Sequence, residues 1–283
     1  MGFMSSSIHT CLWFKQTAQE AREFYQSIFE DFVVQSENPM VSSVQILGRN
    51  FTFLGGAKQV SFNPSISFFL IFHSTEELEK KWSALSNEGK TLMELNSYPW
   101  SSLYGWCEDK NGISWQLMMH DILPDKIIPA LLFTQHNNGK AEKAIRYYTS
   151  LIPHSQINLL DRYAKGSGDE EGNIQHAQFQ LNGQSYIALE SSYMHQFIFN
   201  DAISFVITCQ NQAEIDFYWD SFIRDGGSPS QCGWIKDPFG VSWQIIPKNM
   251  GQLIRHSHNP TFMNVFMNMG KIDIQALETA AKD

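Results

Sequence analysis

His176 and Glu190 carry the acid–base potential of this sequence. His176 stands before the Ala177-Phe179-Leu181 alternation, and Glu190 follows Ala188-Leu189. If both point into one buried space, the carboxylate–imidazole pair can move protons. The competing reading is a pair of sheet residues packed or hydrogen-bonded without chemistry. Gln116 and Gln244 each close a Ser-Trp-Gln block. As inward amides they hydrogen-bond a neighbour or a bound polar ligand, because buried amides are satisfied. Cys232 precedes Gly233-Trp234, but no motif beside it supplies the base or positive charge that a nucleophilic thiolate needs. It reads as a small buried hydrophobe. His9 reads as a solvated histidine near the first strand.

The elements that must position these residues come in two copies. Asn111-Gly112-Ile113-Ser114-Trp115-Gln116-Leu117 matches Phe239-Gly240-Val241-Ser242-Trp243-Gln244-Ile245, and Gly105-Trp106 matches Gly233-Trp234. Ile66-Ser67-Phe68 matches Ile203-Ser204-Phe205, and Ala21 to Ser27 matches Ala144 to Ser150. Four matched blocks in one order mark an internal repeat, with domains at 1–122 and 123–283, the second including a C-terminal helical tail. Tyr104 then corresponds to Cys232. Trp106, Trp115, Trp234 and Trp243 recur in both copies, as packing residues do, and some of them can line a cavity and stack on a ligand.

Each copy opens with a short apolar strand, Thr10 to Phe14 or Pro129 to Phe133. A helix follows, with apolar residues at three- and four-residue spacing: Ala18, Ala21, Phe24, Tyr25, Ile28 and Phe29, or Ala141, Ala144, Ile145, Tyr148 and Leu151. β-rich segments come next, and Asn182-Gly183 marks a tight hairpin. A buried strand (Ile66 to Phe72, Ile203 to Cys209) and a second helix (Thr75 to Ser86, Gln212 to Ile223) lead to the Ser-Trp-Gln strand. That is two βαβββ modules per domain, an α+β class with mostly antiparallel pairing. Tyr98 to Tyr104 reads as an aromatic loop able to lid a pocket, and Asp161 to Asn173 as a mobile polar loop.

Composition bounds the function. The chain has 283 residues, 20 basic against 29 acidic and a net charge of −9, which argues against nucleic-acid binding. No basic-then-apolar leader opens it, and no uninterrupted apolar stretch spans a membrane. The four cysteines are far apart and form no CxxC pair. The expectation is a cytoplasmic protein without a membrane role.

Leu12-Trp13-Phe14, Ala18-Gln19-Glu20-Ala21 and Phe24-Tyr25-Gln26-Ser27 resemble the opening of the vicinal oxygen chelate superfamily, the glyoxalase/bleomycin-resistance/dioxygenase group. Asn182-Gly183-Gln184, Ala188-Leu189-Glu190, Asp216 to Trp219, Gln231 to Trp234 and Val241 to Pro247 resemble its demethylubiquinone 3-methyltransferase-like branch, related to the phosphonate-operon proteins. The segment Met269 to Glu278 is similar to that branch's C-terminal helix. The resemblance implies tandem glyoxalase-like domains whose sheets curl around a small-molecule cavity.

In metal-dependent relatives the ligands stand on inward strand positions, typically His or Gln on the first strand and Glu on the last. Here the last strands carry Gln116 and Gln244, leaving Glu190, with His176, as the charged or imidazole candidates. The expectation is therefore a small-molecule cavity with a degenerate metal site and no cofactor. The alternatives are a divalent-metal lyase, isomerase or dioxygenase using Glu190, Gln244 and His176, and a drug-sequestering binding protein. Tyr104, Trp106, Gln116, Cys232, Trp234 and Gln244 are the expected cavity residues, with Glu190 and His176 the catalytic candidates. No glycine-rich turn leads from a first strand into a helix, so the turn of an S-adenosylmethionine enzyme is missing. The fused copies are expected to form an internal pseudo-dimer, functional as a monomer or as a homodimer.

Overall fold

A computed structural model describes residues 7–121, 126–256 and 258–282. One order, strand–helix–three strands, occurs four times. The first module is β1 (Ser7–Trp13), α1 (Ala18–Ile28), β2 (Phe32–Glu37), β3 (Val41–Ile46) and β4 (Arg49–Leu54). The second is β5 (Ile66–Phe72), α2 (Thr75–Ser86), β6 (Lys90–Tyr98), β7 (Ser101–Glu108) and β8 (Ser114–Met119). The third is β9 (Ile127–Thr134), α3 (Ala141–Leu151), β10 (Gln156–Arg162), β11 (Ile174–Leu181) and β12 (Gln184–Ser191). The fourth is β13 (Ile203–Cys209), α4 (Gln212–Arg224), β14 (Ser228–Pro229), β15 (Trp234–Lys236) and β16 (Ser242–Pro247). Helices α5 (Met250–Leu253), α6 (Pro260–Asn268) and α7 (Ile274–Ala280) complete the chain.

Local sequence explains the helices. Thr17 and Glu20 close a capping box on α1, and Ala18, Ala21, Tyr25 and Ile28 form its buried face. Helix α3 buries the matching residues Ala141, Ala144, Ile145 and Tyr148, but Lys140 at its N-cap supplies no side-chain bond. Asn182 and Gly183 both take positive φ, as the two-residue hairpin turn between β11 and β12 requires.

Contacts divide the chain into two compact units, residues 11–203, and residues 1–10 with 204–283. The larger unit contains an eight-stranded sheet in the order β10-β11-β12-β9-β5-β8-β7-β6. Its central strands β5 and β9 are antiparallel, with Ile66 opposite Leu131 and Phe69 opposite Ile128. Each has the last strand of its own module as a parallel neighbour, β8 or β12, and the remaining strands meander outward. One half of the sheet thus comes from each sequence copy. Both central strands are buried almost throughout, which is why they read as continuous apolar runs. The same unit holds the antiparallel set β2-β3-β4.

In the smaller unit β13 and β16 are parallel, with β15 and β14 added antiparallel. Phe262, Ile272 and Leu277 bury the tail, and Lys271 bridges Asp216 and Asp220 of α4.

The repeated tryptophans have a structural explanation. Trp115 donates to Asp109 at 2.8 Å, and Trp243 donates to Asp237 at 2.9 Å. Each buried aspartate also accepts two backbone N–H groups of the turn before its Ser-Trp-Gln strand. Two expectations are corrected. Tyr98 to Tyr104 is a hairpin, the end of β6 and the start of β7, not a loop; irregular β6–β7 pairing hides its alternation. His9 is half-buried on β1, and burial lowers its imidazole to about 4.

Candidate functional site

A cavity of about 560 Å³ opens on the eight-stranded sheet of the larger unit. The copy-one half of the sheet contributes Phe69 from β5, Met93 from β6, Tyr104 and Trp106 from β7, and Gln116 and Met118 from β8. The copy-two half contributes Asp161 from β10, Gln175, His176 and Gln178 from β11, and Leu189, Glu190 and Ser191 from β12. Two-residue strand periodicity puts Tyr104 with Trp106, Gln116 with Met118, and His176 with Gln178 on the cavity side. Trp100, 56% exposed, stands at the rim and stacks on Tyr98. One wall is therefore aromatic and thioether, the other carries carboxylate, imidazole and amide. Phe69, Tyr104 and Met118 also belong to a buried apolar cluster with Ile71, Ile128, Ala130 and Ile187.

The Gln116 amide is fixed at both ends. Tyr104 donates its hydroxyl to Gln116 Oε1 at 2.5 Å, and Gln116 Nε2 donates to Ser67 Oγ at 2.8 Å. Burial raises the Tyr104 phenol well above its ordinary range, so it stays a donor. Gln244 repeats the serine bond in the smaller unit, donating to Ser204 Oγ at 3.0 Å. Trp106 lines the cavity while its indole N–H donates to Ser114 Oγ at 2.7 Å.

Glu190 is 3% exposed, and both its oxygens accept backbone N–H groups. Oε1 takes Ala141 N at 2.7 Å and Oε2 takes Ile174 N at 2.6 Å. Ala141 is the first residue of α3, so this carboxylate caps the helix from 49 residues away.

The imidazoles have other partners. His176 pairs across the strands with Asp161 and shares a 3.1 Å contact with Gln178 Nε2. Burial lowers the His176 pKa, opposed by the Asp161 charge and reinforced by His120. His195 Nε2 lies 2.9 Å from Ser191 Oγ, and burial lowers its pKa against the pull of Asp169. Both rings are thus biased toward the neutral form, able to donate at one nitrogen and accept at the other.

Of the residues singled out in the sequence, Tyr104, Trp106, Gln116, His176 and Glu190 line this one cavity. Cys232, Trp234 and Gln244 belong to the smaller unit. There Cys232 Sγ lies 3.5 Å from the Phe266 carbonyl and 3.8 Å from Met267 Sδ, and burial raises its thiol pKa. Asp161, Tyr163, His120 and His195 escaped the sequence reading, although the polar stretch opening at Asp161 marked two of them.

A family model described as 3-demethylubiquinone-9 3-methyltransferase matches residues 6–118 and again 125–246. The chain belongs to this family. Among solved structures, the PhnB protein from Bacillus cereus is 28% identical over 40% of this chain and 98% of its own, with a TM-score of 0.37. Glyoxalase I from Zea mays is 11% identical over 90% of this chain and 98% of its own, with a TM-score of 0.58. Its V278E mutant is 10% identical over 88% and 95%, with a TM-score of 0.59. No curated protein matches. The fold of this family member is therefore the α+β tandem glyoxalase-like architecture, of four βαβββ modules.

The superfamily resemblance raises a divalent metal, and the family's name raises a methyl donor. Among the described residues no three His, Cys, Asp or Glu side chains converge as metal ligands. Glu190 has both oxygens engaged, and Gln116 has both ends of its amide engaged. These donors do not fit a metal site. The glycines after β4 do not form a methyl-donor turn either. A Cβ on Gly55 would lie 2.8–2.9 Å from the backbone of Gln16, Thr17 and Ala18, so Gly55 lets the end of β4 meet the start of α1.

Proposed function

We propose that this family member binds a small, ring-bearing organic molecule in the cavity of its larger unit, without a metal ion. The observation that carries this reading is the two-sided wall. The aromatic side chains of Trp106, Tyr104 and Trp100 and the polar side chains of His176, Gln178 and Asp161 line one volume in the range of small-molecule sites, about 300–1,000 Å³. The ring system stacks on the aromatic wall, and its polar groups meet neutral imidazole and amide on the other. No Lys or Arg is among the described lining residues, and two carboxylates are, which disfavours phosphate, phosphonate and carboxylate ligands.

Tryptophan fluorescence titration with uncharged and anionic aromatic compounds tests this. A saturable change is expected with uncharged rings. Trp106→Ala should weaken it about 2- to 12-fold, the range of an aromatic pair worth 0.5–1.5 kcal/mol. If no aromatic compound perturbs the emission or the melting temperature, or if anions bind best, the reading fails.

A further inference from the structure

Arg49 opens β4 and is only 6% exposed. Its guanidinium is always charged. Nη1 donates to the Ser185 carbonyl at 3.1 Å, and the group lies 4.7 Å from the centroid of the Tyr186 ring. Tyr186 is itself stacked on Phe179, so this platform is fixed from below. Nε and Nη2 have no hydrogen-bond partner among the described residues. Those two N–H groups form the side-on fork of arginine, parallel and coplanar, which matches both oxygens of a carboxylate or a phosphate.

A buried charge is costly unless it is paired. One carbonyl and one aromatic face compensate part of it. Water on the fork would satisfy the hydrogen bonds but leave the net charge, whereas an anion answers both. We propose that Arg49 is an oxyanion site, in which a small carboxylate or phosphate sits bidentate on Nε and Nη2. Less than 1 Å² of either nitrogen is exposed, so only a small ion, or the charged end of a slender one, can take the fork, and neighbouring side chains must shift to admit it. Arg49 is absent from the lining of the aromatic cavity, so this site stands apart from the ligand site proposed above.

Two measurements on the whole chain test it. Melting temperature is followed against formate, acetate or inorganic phosphate, with chloride holding the ionic strength constant. A saturable rise of about 2–4 °C or more is expected with at least one oxyanion well above its Kd. Arg49→Met, which deletes the buried charge, should abolish it. In parallel, the arginine Nε–H signals of ¹⁵N-labelled wild-type protein are titrated with formate, which needs no variant. One slowly exchanging signal should move saturably. A melting temperature that follows ionic strength alone with no Nε–H signal moving, or a rise that persists in Arg49→Met, would overturn the proposal. The first result would leave water on the fork, and the second would place the anion elsewhere.

Discussion

Replacing Glu190 by Gln separates a structural carboxylate from a catalytic one. Its two short bonds, 2.7 Å from Ala141 N and 2.6 Å from Ile174 N, are charge-assisted. Glutamine keeps one acceptor and turns an NH₂ group toward the other N–H. One charge-assisted bond, worth about 1.5–3 kcal/mol, is lost and a buried N–H is left without an acceptor. The favourable charge at the α3 N-terminus goes too, about 0.3–1 kcal/mol. The expected cost is about 2–4 kcal/mol, a large share of the 5–15 kcal/mol typical of a domain. At roughly 2–4 °C per kcal/mol, the melting temperature should fall by about 4–16 °C. Thermal and urea denaturation measure this. Affinity for the best aromatic ligand, titrated at a temperature where both proteins are folded, should stay within about twofold of wild type. Unchanged stability with a tenfold or greater loss of affinity would refute the capping argument and put Glu190 on the ligand.

The buried aspartates give a matched pair. Asp109 accepts from Tyr25, Trp115 and two backbone N–H groups, so Asp109→Asn should cost about 2–4 kcal/mol in urea unfolding through misplaced donors. Asp237 likewise accepts from Trp243 and two backbone N–H groups, so Asp237→Asn should also destabilise by about 2–4 kcal/mol; losses under about 0.5 kcal/mol for both would sink the argument. Acidification should also destabilise the fold. His9, His176 and His195 have folded pKa values below the unfolded 6.5, so the unfolded chain binds more protons as pH falls through that value toward about 4, where His9 protonates. Urea midpoints at pH 7.5 and 5 should show the loss, His9→Gln should flatten it, and a midpoint that rises on acidification contradicts the sign. Dialysis against EDTA should leave the melting temperature within about 1 °C, and elemental analysis should find well under one metal per chain. Stoichiometric metal would overturn the metal-free reading.

The internal repeat made most of the fold legible, because matched blocks assign the same element twice. Helices α1 and α3 start where the apolar spacing places them, and α2, β5 and β13 span the expected residues. Strands β2 and β10 are not legible because they lie at sheet edges with mostly exposed side chains, apolar Val33 and Leu159 included, so neither has a buried alternating face. The site was half legible. Tyr104, Trp106, Gln116 and His176 sit on strands whose alternation points them inward. His120, Asp161 and His195 are isolated in sequence and come together only through strand pairing and a cross-repeat sheet. The role of Glu190 was invisible for a related reason: α3 has no local cap, and the carboxylate that replaces it comes from another strand.

The eight-stranded sheet repeats one strand order outward from its antiparallel central pair β5 and β9, yet its two halves are encoded separately. In a sheet built from two identical chains, every substitution appears on both walls, so a tryptophan gained on one side is gained on the other. Here each wall changes alone. The symmetry of the scaffold is kept by the backbone, while the side chains have departed from it: Trp106 and Met118 on one side, His176 and Asp161 on the other. A cavity with distinguishable ends can hold an unsymmetrical molecule in one orientation, which a self-paired sheet has no means to enforce.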